Sequence, residues 1–337
     1  MIKETIAKVA AGENLGEREM MDTMKEIMEG AATPAQIAAF ITALRIKGET
    51  VEELTGAARV MRQKATRIDP CASTVVDTCG TGGDGRHTFN ISTTAALVAA
   101  GADLTVAKHG NRAVSSSCGS ADVLEAMGVN ITAPPEIVEE CIREAGIGFL
   151  FAQGLHSAMK HAAGPRREIG IRTIFNMLGP LTNPAGATAQ LLGVFDARLT
   201  EMFAGVLRNL GTRHAFVVYG SDGLDEATVT GKTRVTELKD GLLQTFDIDA
   251  AEIFGERSDL DSLRGGDAAR NAEIAQSVLM GDGTTAARNV VLLNAALAIM
   301  AGDRAATLQD GLALAKESID SGAALQKLRR LVEVSKS

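Results

Sequence analysis

Apolar side chains recur at helical spacing through the first seventy residues, and no segment there alternates in the manner of a strand. The helical segments are residues 2–11, 17–28, 33–48 and 50–65. The third and fourth begin with capping boxes, in which Gln36 follows Thr33 and Glu53 follows Thr50. Because a capping box satisfies free N–H groups at a helix start, the pattern predicts a small helical domain over residues 1–70.

From residue 72 onward, short β-branched or apolar runs alternate with helical stretches. The predicted strands are residues 74–78, 104–107, 147–151, 189–194 and 214–219, and the predicted helices between them are residues 91–101, 121–127, 134–144 and 199–210. This alternation is typical of a mostly parallel sheet. Residues 228–249 predict added antiparallel strands, and the chain is helical again from Asp267. The predicted fold class is therefore α/β, a small helical domain plus a large α/β domain with a mostly parallel central sheet.

Composition and charge narrow the classes of function. The chain has 34 Lys and Arg against 42 Asp and Glu, a net charge of −8, and no basic block, so we expect no nucleic-acid or membrane binding. Ten Phe, one Tyr and no Trp do not make a stacking platform for single strands. The four cysteines form no C-x-x-C pair, and the N-terminus lacks a signal peptide's apolar core, so we expect a cytoplasmic protein.

A glycine-rich segment, residues 77–85, follows the first predicted strand. Successive glycines allow backbone N–H groups to converge on an anion, and the next helix start adds positive potential. The spelling G-x-G-x-x-G also matches a dinucleotide site, but Asp103 precedes the second strand instead of ending it. Arg86 and His87 stand where a P-loop requires Lys and Ser or Thr. An anion site is therefore favoured over a purely structural turn.

Further polar segments also lie at the end of a predicted strand or at the start of a predicted helix. Residues 90–94 are helix-capping types that could also donate to phosphate, and residues 108–120 combine a Lys, an Arg, an amide and four hydroxyls. The stretch with Arg166, Arg167 and Arg172 offers a fork for a carboxylate, or merely a surface ion pair with Glu168. Together with the acidic pair Asp225 and Glu226, which can hold a metal, the glycine loop and these segments suggest a Mg²⁺-dependent enzyme that acts on a diphosphorylated sugar.

The acidic pair Asp225 and Glu226 follows the last parallel strand. Adjacent carboxylates at a strand end suit Mg²⁺ bound to a substrate phosphate, although two acids in a turn can also be merely solvated. The five histidines have no zinc-ligand spacing, and no Ser–His or Cys–His nucleophile pattern is present.

Five segments in order and spacing resemble the anthranilate phosphoribosyltransferase family: DTCGTGGDG, NIST, KHGNRAVSSSCGSADVLEAMGV, RTIFNMLGPLTNPA and GSDGLDE. The resemblance spans essentially the whole chain. It implies transfer of the phosphoribosyl group of 5-phosphoribosyl 1-diphosphate (PRPP) to the amine of anthranilate, the second step of tryptophan biosynthesis from chorismate. It also implies a homodimer and a fold like that of nucleoside phosphorylases. Residues 1–70, joined by a segment near 165–190, would form the small domain, and residues 71–164 and 191–337 the large one.

The resemblance also assigns site residues. The PRPP contacts it implies are Gly80, Gly83, Asp84, Thr88, Asn90, Ile91, Ser92, Thr93, Lys108, His109, Gly110, Asn111, Arg112, Ala113, Val114, Ser115, Ser116 and Ser120. The anthranilate contacts are Gly80, Asn111 and Arg166. The metal ligands are Ser92, Asp225 and Glu226, for two Mg²⁺ ions per subunit, and no catalytic acid or base is assigned.

Three alternatives remain at this point. The first is a nucleoside phosphorylase of the same fold, which has little need for the acidic pair. The second is an NAD-dependent oxidoreductase built on the glycine loop. The third, a non-catalytic or nucleic-acid-binding relative, is disfavoured by the net charge of −8 and the intact set of site residues.

Overall fold

Four helices make up the N-terminal part of the chain, with bounds within two residues of the predicted segments. The computed structural model, which describes residues 1–113 and 118–337, has α1 Ile2–Ala10, α2 Glu17–Met28, α3 Pro34–Lys47 and α4 Val51–Lys64. Both capping boxes form, because Thr33 Oγ1 accepts from Gln36 N–H and Thr50 Oγ1 accepts from Glu53 N–H. The buried Glu53 carboxylate also accepts from Leu15 N–H at 2.9 Å. One side chain therefore caps α4 and holds the chain before α2.

A seven-stranded sheet confirms the α/β fold class. Its strands are β1 Val76–Gly80, β2 Val106–Gly110, β3 Ile147–Phe151, β4 Ala189–Gly193, β5 His214–Gly220, β6 Lys232–Lys239 and β7 Leu242–Asp249. The order is β3-β2-β1-β4-β5-β6-β7. The first five strands are parallel, and β6 and β7 are the predicted antiparallel addition.

The first two strands start and end later than predicted. Backbone pairing continues to Gly80, which lies opposite Gly193, and to Gly110, which lies opposite Phe151. Glycine has a low strand propensity, so its presence indicated a loop where the neighbouring strand in fact extends the ladder. The predictions of strands at residues 74–78 and 104–107 are therefore wrong by about two residues.

Helices cover the sheet and connect its strands. They are α5 Ile91–Gly101, α6 Ser120–Ala126, α7 Pro135–Ala145, α8 Ala152–Leu155, α9 Lys160–Ile169, α10 Ile174–Leu178, α11 Leu199–Asn209, α12 Ala250–Phe254, α13 Ala268–Met280, α14 Thr285–Ala301, α15 Leu308–Asp320 and α16 Ala323–Val334. Three short 3₁₀ turns are Ser157–Met159, Gly179–Leu181 and Leu260–Leu263. The apolar helices α5 and α14 are almost entirely buried and pack against each other beside the parallel strands.

The segment between β3 and β4 packs against the N-terminal helices. Helix α9 contacts α2 and α3, and α10 contacts α3 and α4. The apolar cluster that contains Ile174 and Phe175 also includes the sheet residues Leu192 and Val217. Since this packing runs from the helices onto the sheet without a break, the domain boundaries expected from the sequence stay a prediction.

Among the described residues, no single helix is both long and apolar enough to cross a bilayer. Helices α13 and α14 are long and apolar enough only when taken together, and they are bent by 76° at their junction.

Candidate active site

Three polar segments selected from the sequence meet at one edge of the sheet. The glycine loop follows β1, Lys108 lies near the end of β2, and the acidic pair follows β5. Since β2, β1, β4 and β5 are parallel neighbours, their carboxyl ends share that edge, which is where open α/β sheets bind ligands.

The acidic pair lies directly over the glycine loop. Asp225 Oδ2 accepts a hydrogen bond from Gly82 N–H at 2.6 Å. A Cβ atom on Gly80 would overlap the Asp225 carboxylate, and one on Gly193 would overlap the Asp225 carbonyl oxygen. Gly82 and Gly83 have φ values of +68° and +73°, in the left-handed region that favours glycine. Glycines at these positions are therefore required by close approach and by backbone conformation.

Glu226 and Lys108 converge on the first turn of α5. Glu226 Oε1 accepts from Ser92 N–H at 3.2 Å, at the positive end of this helix. Lys108, only 2% exposed, donates from Nζ to Thr78 O at 2.5 Å and lies 3.5 Å from Ser92 Oγ. A buried ammonium therefore lies between the end of β1 and the start of α5.

The charged groups at this edge are buried, and burial shifts their pKa values. Burial raises the pKa of Asp225 well above its usual range, and the nearby charges of Glu226 and Asp84 raise it further. Burial also raises the pKa of Glu226, although Lys108 opposes this. Desolvation lowers the pKa of Lys108 despite the nearby carboxylate of Asp77. A cation added beside the two acids would stabilise their ionised forms.

The donor set fits Mg²⁺ shared with a substrate. Among the described residues, no three His, Cys, Asp or Glu side chains converge on one point. Mg²⁺ is usually held by one or two carboxylates together with waters and substrate phosphates, so a larger protein cage is not needed. Asp225, Glu226 and the hydroxyl of Ser92 supply hard oxygen donors of this kind.

A buried network holds the end of β2 in place. The Asp77 carboxylate accepts from His109 N–H at 3.1 Å and from Asn183 Nδ2 at 2.8 Å. The His109 ring lies 3.1 Å from Gly179 O and 3.2 Å from the His156 ring. Burial lowers the pKa of His109 to about 3 and that of His156 to about 4, so both rings are neutral near pH 7. Since the His109 ring contacts this network, its predicted PRPP contact would have to come from the backbone.

The loop after β2 is tied to helix α6. Arg112 pairs with Asp122 and Glu125, each at 2.8 Å, so its charge is already compensated by this helix. Asp122 Oδ2 also accepts from Ala113 N–H at 2.9 Å. The Oγ of Ser120 donates to the carbonyl of Asn111, and Ser120 leaves no room for a side chain on Gly110. The remaining candidates in this loop lie outside the described residues: Val114, Ser115 and Ser116.

The other PRPP candidates lie around the start of α5. Asn90 precedes the helix, and its side chain contacts Cys118 and Asn271. Ile91 and Thr93 are buried in the first turn, and Thr93 Oγ1 has no hydrogen-bond partner among the described residues. Thr88 forms an isolated bridge with Arg264, and Asp84 accepts from Arg86 N–H.

The three arginines of the 166–172 stretch differ in their contacts. The guanidinium of Arg166 lies 5.1 Å from the centre of the Phe175 ring, and burial lowers its pKa. Among the described residues no carboxylate pairs with it, Glu168 included, and no hydrogen bond joins it to Gly80 or Asn111. Arg167 is exposed, and Arg172 donates to two carbonyls of the glycine loop. Among these three arginines, Arg166 is therefore the half-buried one whose guanidinium is available to a ligand.

Asn294 supports the site and was not selected from the sequence. It accepts from Ala227 N–H at 3.0 Å and donates to Ala227 O at 2.8 Å, which fixes the backbone next to Glu226. Its buried position on α14 allows a third bond, to Val290 O. The sequence signal was a single amide within the apolar run 290–301, a residue type that needs buried partners.

Comparisons with known proteins agree along the whole chain. The helical bundle domain of a glycosyl transferase family matches residues 3–65, and the a/b domain of such a family matches residues 72–325. The anthranilate phosphoribosyltransferase of Moorella thermoacetica is 58% identical over 332 residues, which cover 98% of both chains.

Solved structures are similar over the same extent. A crystal structure of anthranilate phosphoribosyltransferase from Thermus thermophilus has a TM-score of 0.93 at 42% identity and covers 99% of both chains. The enzyme of Saccharomyces cerevisiae in complex with PRPP and Mg has a TM-score of 0.89 at 28% identity, covering 99% of this chain and 98% of that one.

Replacing Asn294 by Leu, which is similar in shape, leaves the N–H and C=O of Ala227 buried without partners. Because each such group costs about 1–3 kcal/mol, we expect the free energy of unfolding to fall by at least about 2 kcal/mol in urea denaturation. Asn209→Leu is the control, because it removes one 3.4 Å bond at the end of α11. Equal losses in the two variants would contradict the support role of Asn294.

Proposed function

We propose the following function for a chain that belongs to the anthranilate phosphoribosyltransferase family. It transfers the phosphoribosyl group of PRPP to the amine of anthranilate, giving N-(5-phosphoribosyl)anthranilate and diphosphate, the second step of tryptophan biosynthesis from chorismate. The supporting observation is the meeting of the glycine loop, the buried Lys108 and the acidic pair at one sheet edge. These are the groups that a diphosphate with its metal requires.

The phosphoribosyl transfer requires stabilisation of developing charge and positioning of the two substrates. The bond from ribose C1 to the diphosphate oxygen breaks, a bond from C1 to the anthranilate nitrogen forms, and the nitrogen loses a proton. The ribosyl centre develops oxocarbenium character while negative charge builds on the leaving group. We expect Lys108 to stabilise that charge together with those glycine-loop amides that are not already bonded, as Thr81 N–H is to Gly193 O and Gly82 N–H is to Asp225. The attached amine becomes acidic, so no strong general base is required.

The metal proposal rests on the acidic pair. We assign Ser92, Asp225 and Glu226 as ligands for two Mg²⁺ ions per subunit. When bound, Mg²⁺ neutralises the diphosphate and makes it a better leaving group. Burial raises the pKa of both carboxylates, and neighbouring acids raise it further, so a bound cation that stabilises their ionised forms supports this assignment.

The acceptor proposal rests on Arg166. A half-buried guanidinium with no carboxylate partner in the described part of the chain is suited to a bidentate pair with the anthranilate carboxylate. Such a clamp fixes the ring and directs the amine, and positioning of this kind lowers the barrier of a bimolecular step. Gly80 and Asn111 are proposed as further contacts to the same substrate.

The alternatives have less support. A nucleoside phosphorylase has little use for the acidic pair, and the compared relatives carry another name. A dinucleotide site is disfavoured because the Asp225 carboxylate lies against Gly82 N–H, where a bare pyrophosphate would have to bind. The cytoplasmic location expected from composition stays a prediction.

We also propose that the subunit belongs to a homodimer. Helices α1 and α3 pack against each other. Two exposed apolar side chains lie here: Met1, which precedes α1, at 57% exposure, and Ile46, on α3, at 81%. A partner subunit over these helices would bury both.

The test of function is an assay with the purified protein, PRPP, Mg²⁺ and anthranilate. We expect anthranilate fluorescence to be lost only when all three components are present, and chelation of Mg²⁺ to stop the loss. The chain has no Trp, so the protein background is low. A folded protein that leaves anthranilate unchanged in the complete mixture would refute the proposal.

Glu226→Gln extends this test to the metal ligands. Removing one ligand charge should raise the Mg²⁺ concentration for half-maximal rate by at least about tenfold. Loss of a group that only hydrogen-bonds to a metal ligand already weakens metal binding by about that factor. Asp240→Asn makes the same charge change in the turn between β6 and β7 and should leave the requirement unchanged. An unchanged requirement in Glu226→Gln would remove Glu226 from the ligand set.

Arg166→Ala tests the carboxylate clamp. Loss of a charge-assisted pair should raise the KM for anthranilate by about 10–100-fold, with the KM for PRPP changed less than about twofold. Arg167→Ala, at the next and exposed position of α9, should change neither value. An equal rise in both KM values for Arg166→Ala would contradict the assignment.

Light scattering tests the dimer. We expect a mass near twice 35.2 kDa for the purified protein and a shift toward one chain for Ile46→Glu. Leu242→Glu, which alters a 78% exposed residue of β7, should keep the mass of the parent protein. A mass of one chain for the unmodified protein would contradict the homodimer.

A further inference from the structure

Arg172 holds the glycine loop from the side of the helices. Its guanidinium donates to Gly83 O at 3.2 Å from Nη1 and to Gly82 O at 2.5 Å from Nη2. A Cβ atom on Gly83 would lie 2.6 Å from Nη2, so the arginine occupies the space that a larger residue would need. One side chain thus binds two successive carbonyls of the loop.

The guanidinium is itself fixed by an aromatic ring. The Arg172 guanidinium carbon lies 4.0 Å above the centre of the Phe195 ring, within the range of a cation–π contact. Phe195 N–H in turn donates to Thr81 Oγ1 at 3.1 Å, and Thr81 N–H donates to Gly193 O at 2.9 Å. The loop is therefore held between the end of β4 and Arg172.

Arg172 is also anchored on the helical side. The next residue, Thr173, starts α10, where its N–H is capped by Asn176 Oδ1 at 3.0 Å. Helix α10 buries Ile174 and Phe175 in the apolar cluster of the N-terminal helices. The guanidinium is thereby connected through one residue to a rigid helix, which limits how far it can move.

These contacts control which polar groups the loop can present. A loop that binds an anion must turn its N–H groups toward the anion, and a carbonyl oxygen turned the same way would repel it. Two consecutive glycines with positive φ have the freedom to rotate their peptide planes. By binding Gly82 O and Gly83 O, Arg172 prevents such rotation and places a positive charge behind the loop.

We propose that Arg172 is a positioning residue for PRPP, which orients the glycine loop by binding its carbonyls and does not contact anthranilate. This inference rests on the proposed function, since it assigns the loop to the diphosphate of PRPP. It separates Arg172 from Arg166, because the donors of Arg172 are directed at the loop whereas Arg166 has no carboxylate partner among the described residues.

The test compares Arg172→Ala and Arg172→Lys, with Arg167→Ala as the control. For each protein, calorimetry gives the Kd of PRPP in the presence of Mg²⁺, and kinetics give the KM of both substrates. We expect Arg172→Ala to raise the Kd and KM of PRPP by about tenfold or more, as for loss of a charge-assisted contact. The KM for anthranilate should change less than about twofold. Arg172→Lys should recover part of the loss, since an ammonium still reaches a carbonyl but does not form the fork.

A second variant covers the case in which Arg172→Ala does not fold. Phe195→Leu removes the ring beneath the guanidinium while keeping both arginine hydrogen-bond partners, and it should raise the KM of PRPP in the same direction by a smaller factor. Unchanged PRPP binding in Arg172→Ala, an equal rise in both KM values, or no recovery in Arg172→Lys would overturn the inference. If the unmodified protein does not bind PRPP with Mg²⁺, both the proposed function and this inference are wrong. A loss of PRPP binding confined to the Arg172 variants leaves the proposed function intact.

Discussion

The close approach of Asp225 to the ends of β1 and β4, by its carboxylate at Gly80 and by its backbone at Gly193, is the constraint on which the site depends. A side chain at Gly80 or Gly193 would overlap Asp225, so the strands must end in glycine for the acidic pair to lie above them. The same approach brings the Asp225 carboxylate to Gly82 N–H and thereby orders the start of the glycine loop. Asn294 then fixes the chain one residue beyond Glu226. Steric contact at two glycines thus determines where the charged groups can be.

The second constraint is an excess of negative charge at this edge. The acids here are Asp77, Asp84, Asp225 and Glu226, and the cations are Lys108, near Asp77 and Glu226, and Arg172, near Asp225 and Asp84. Burial takes each carboxylate out of water and thereby disfavours its ionised form, which raises the pKa of Asp77, Asp225 and Glu226, and neighbouring acids raise the pKa of Asp225 and Glu226 further. A bare diphosphate would worsen the imbalance, whereas a diphosphate that brings a divalent cation would relieve it. The site is therefore matched to a metal complex of its substrate.

A short segment serves both proposed halves of the reaction. Residues 166–172 carry the arginine assigned to the acceptor and the arginine that holds the glycine loop. The segment packs with the N-terminal helices through α9 and α10, so those helices support residues that act beyond their own cluster. Binding of donor and acceptor is in this way connected to the same packed unit, and its stability affects both.

Local signals in the sequence determined the helix starts, the α/β class and the segments that carry chemistry. The capping boxes at Thr33 and Thr50 were predicted because their partners lie three residues away. The strand ends at Gly80 and Gly110 were not, because a neighbouring strand, and not propensity, extends them. Contacts between distant segments were also decided by the tertiary structure: Arg112 with α6, Arg172 with the glycine loop, and Asn294 with Ala227. Hydrogen bonds within one helical turn depend on which residues stand three or four positions apart, so the sequence alone predicts them. Bonds between residues far apart in the chain depend on the packed fold, which brings the partners together.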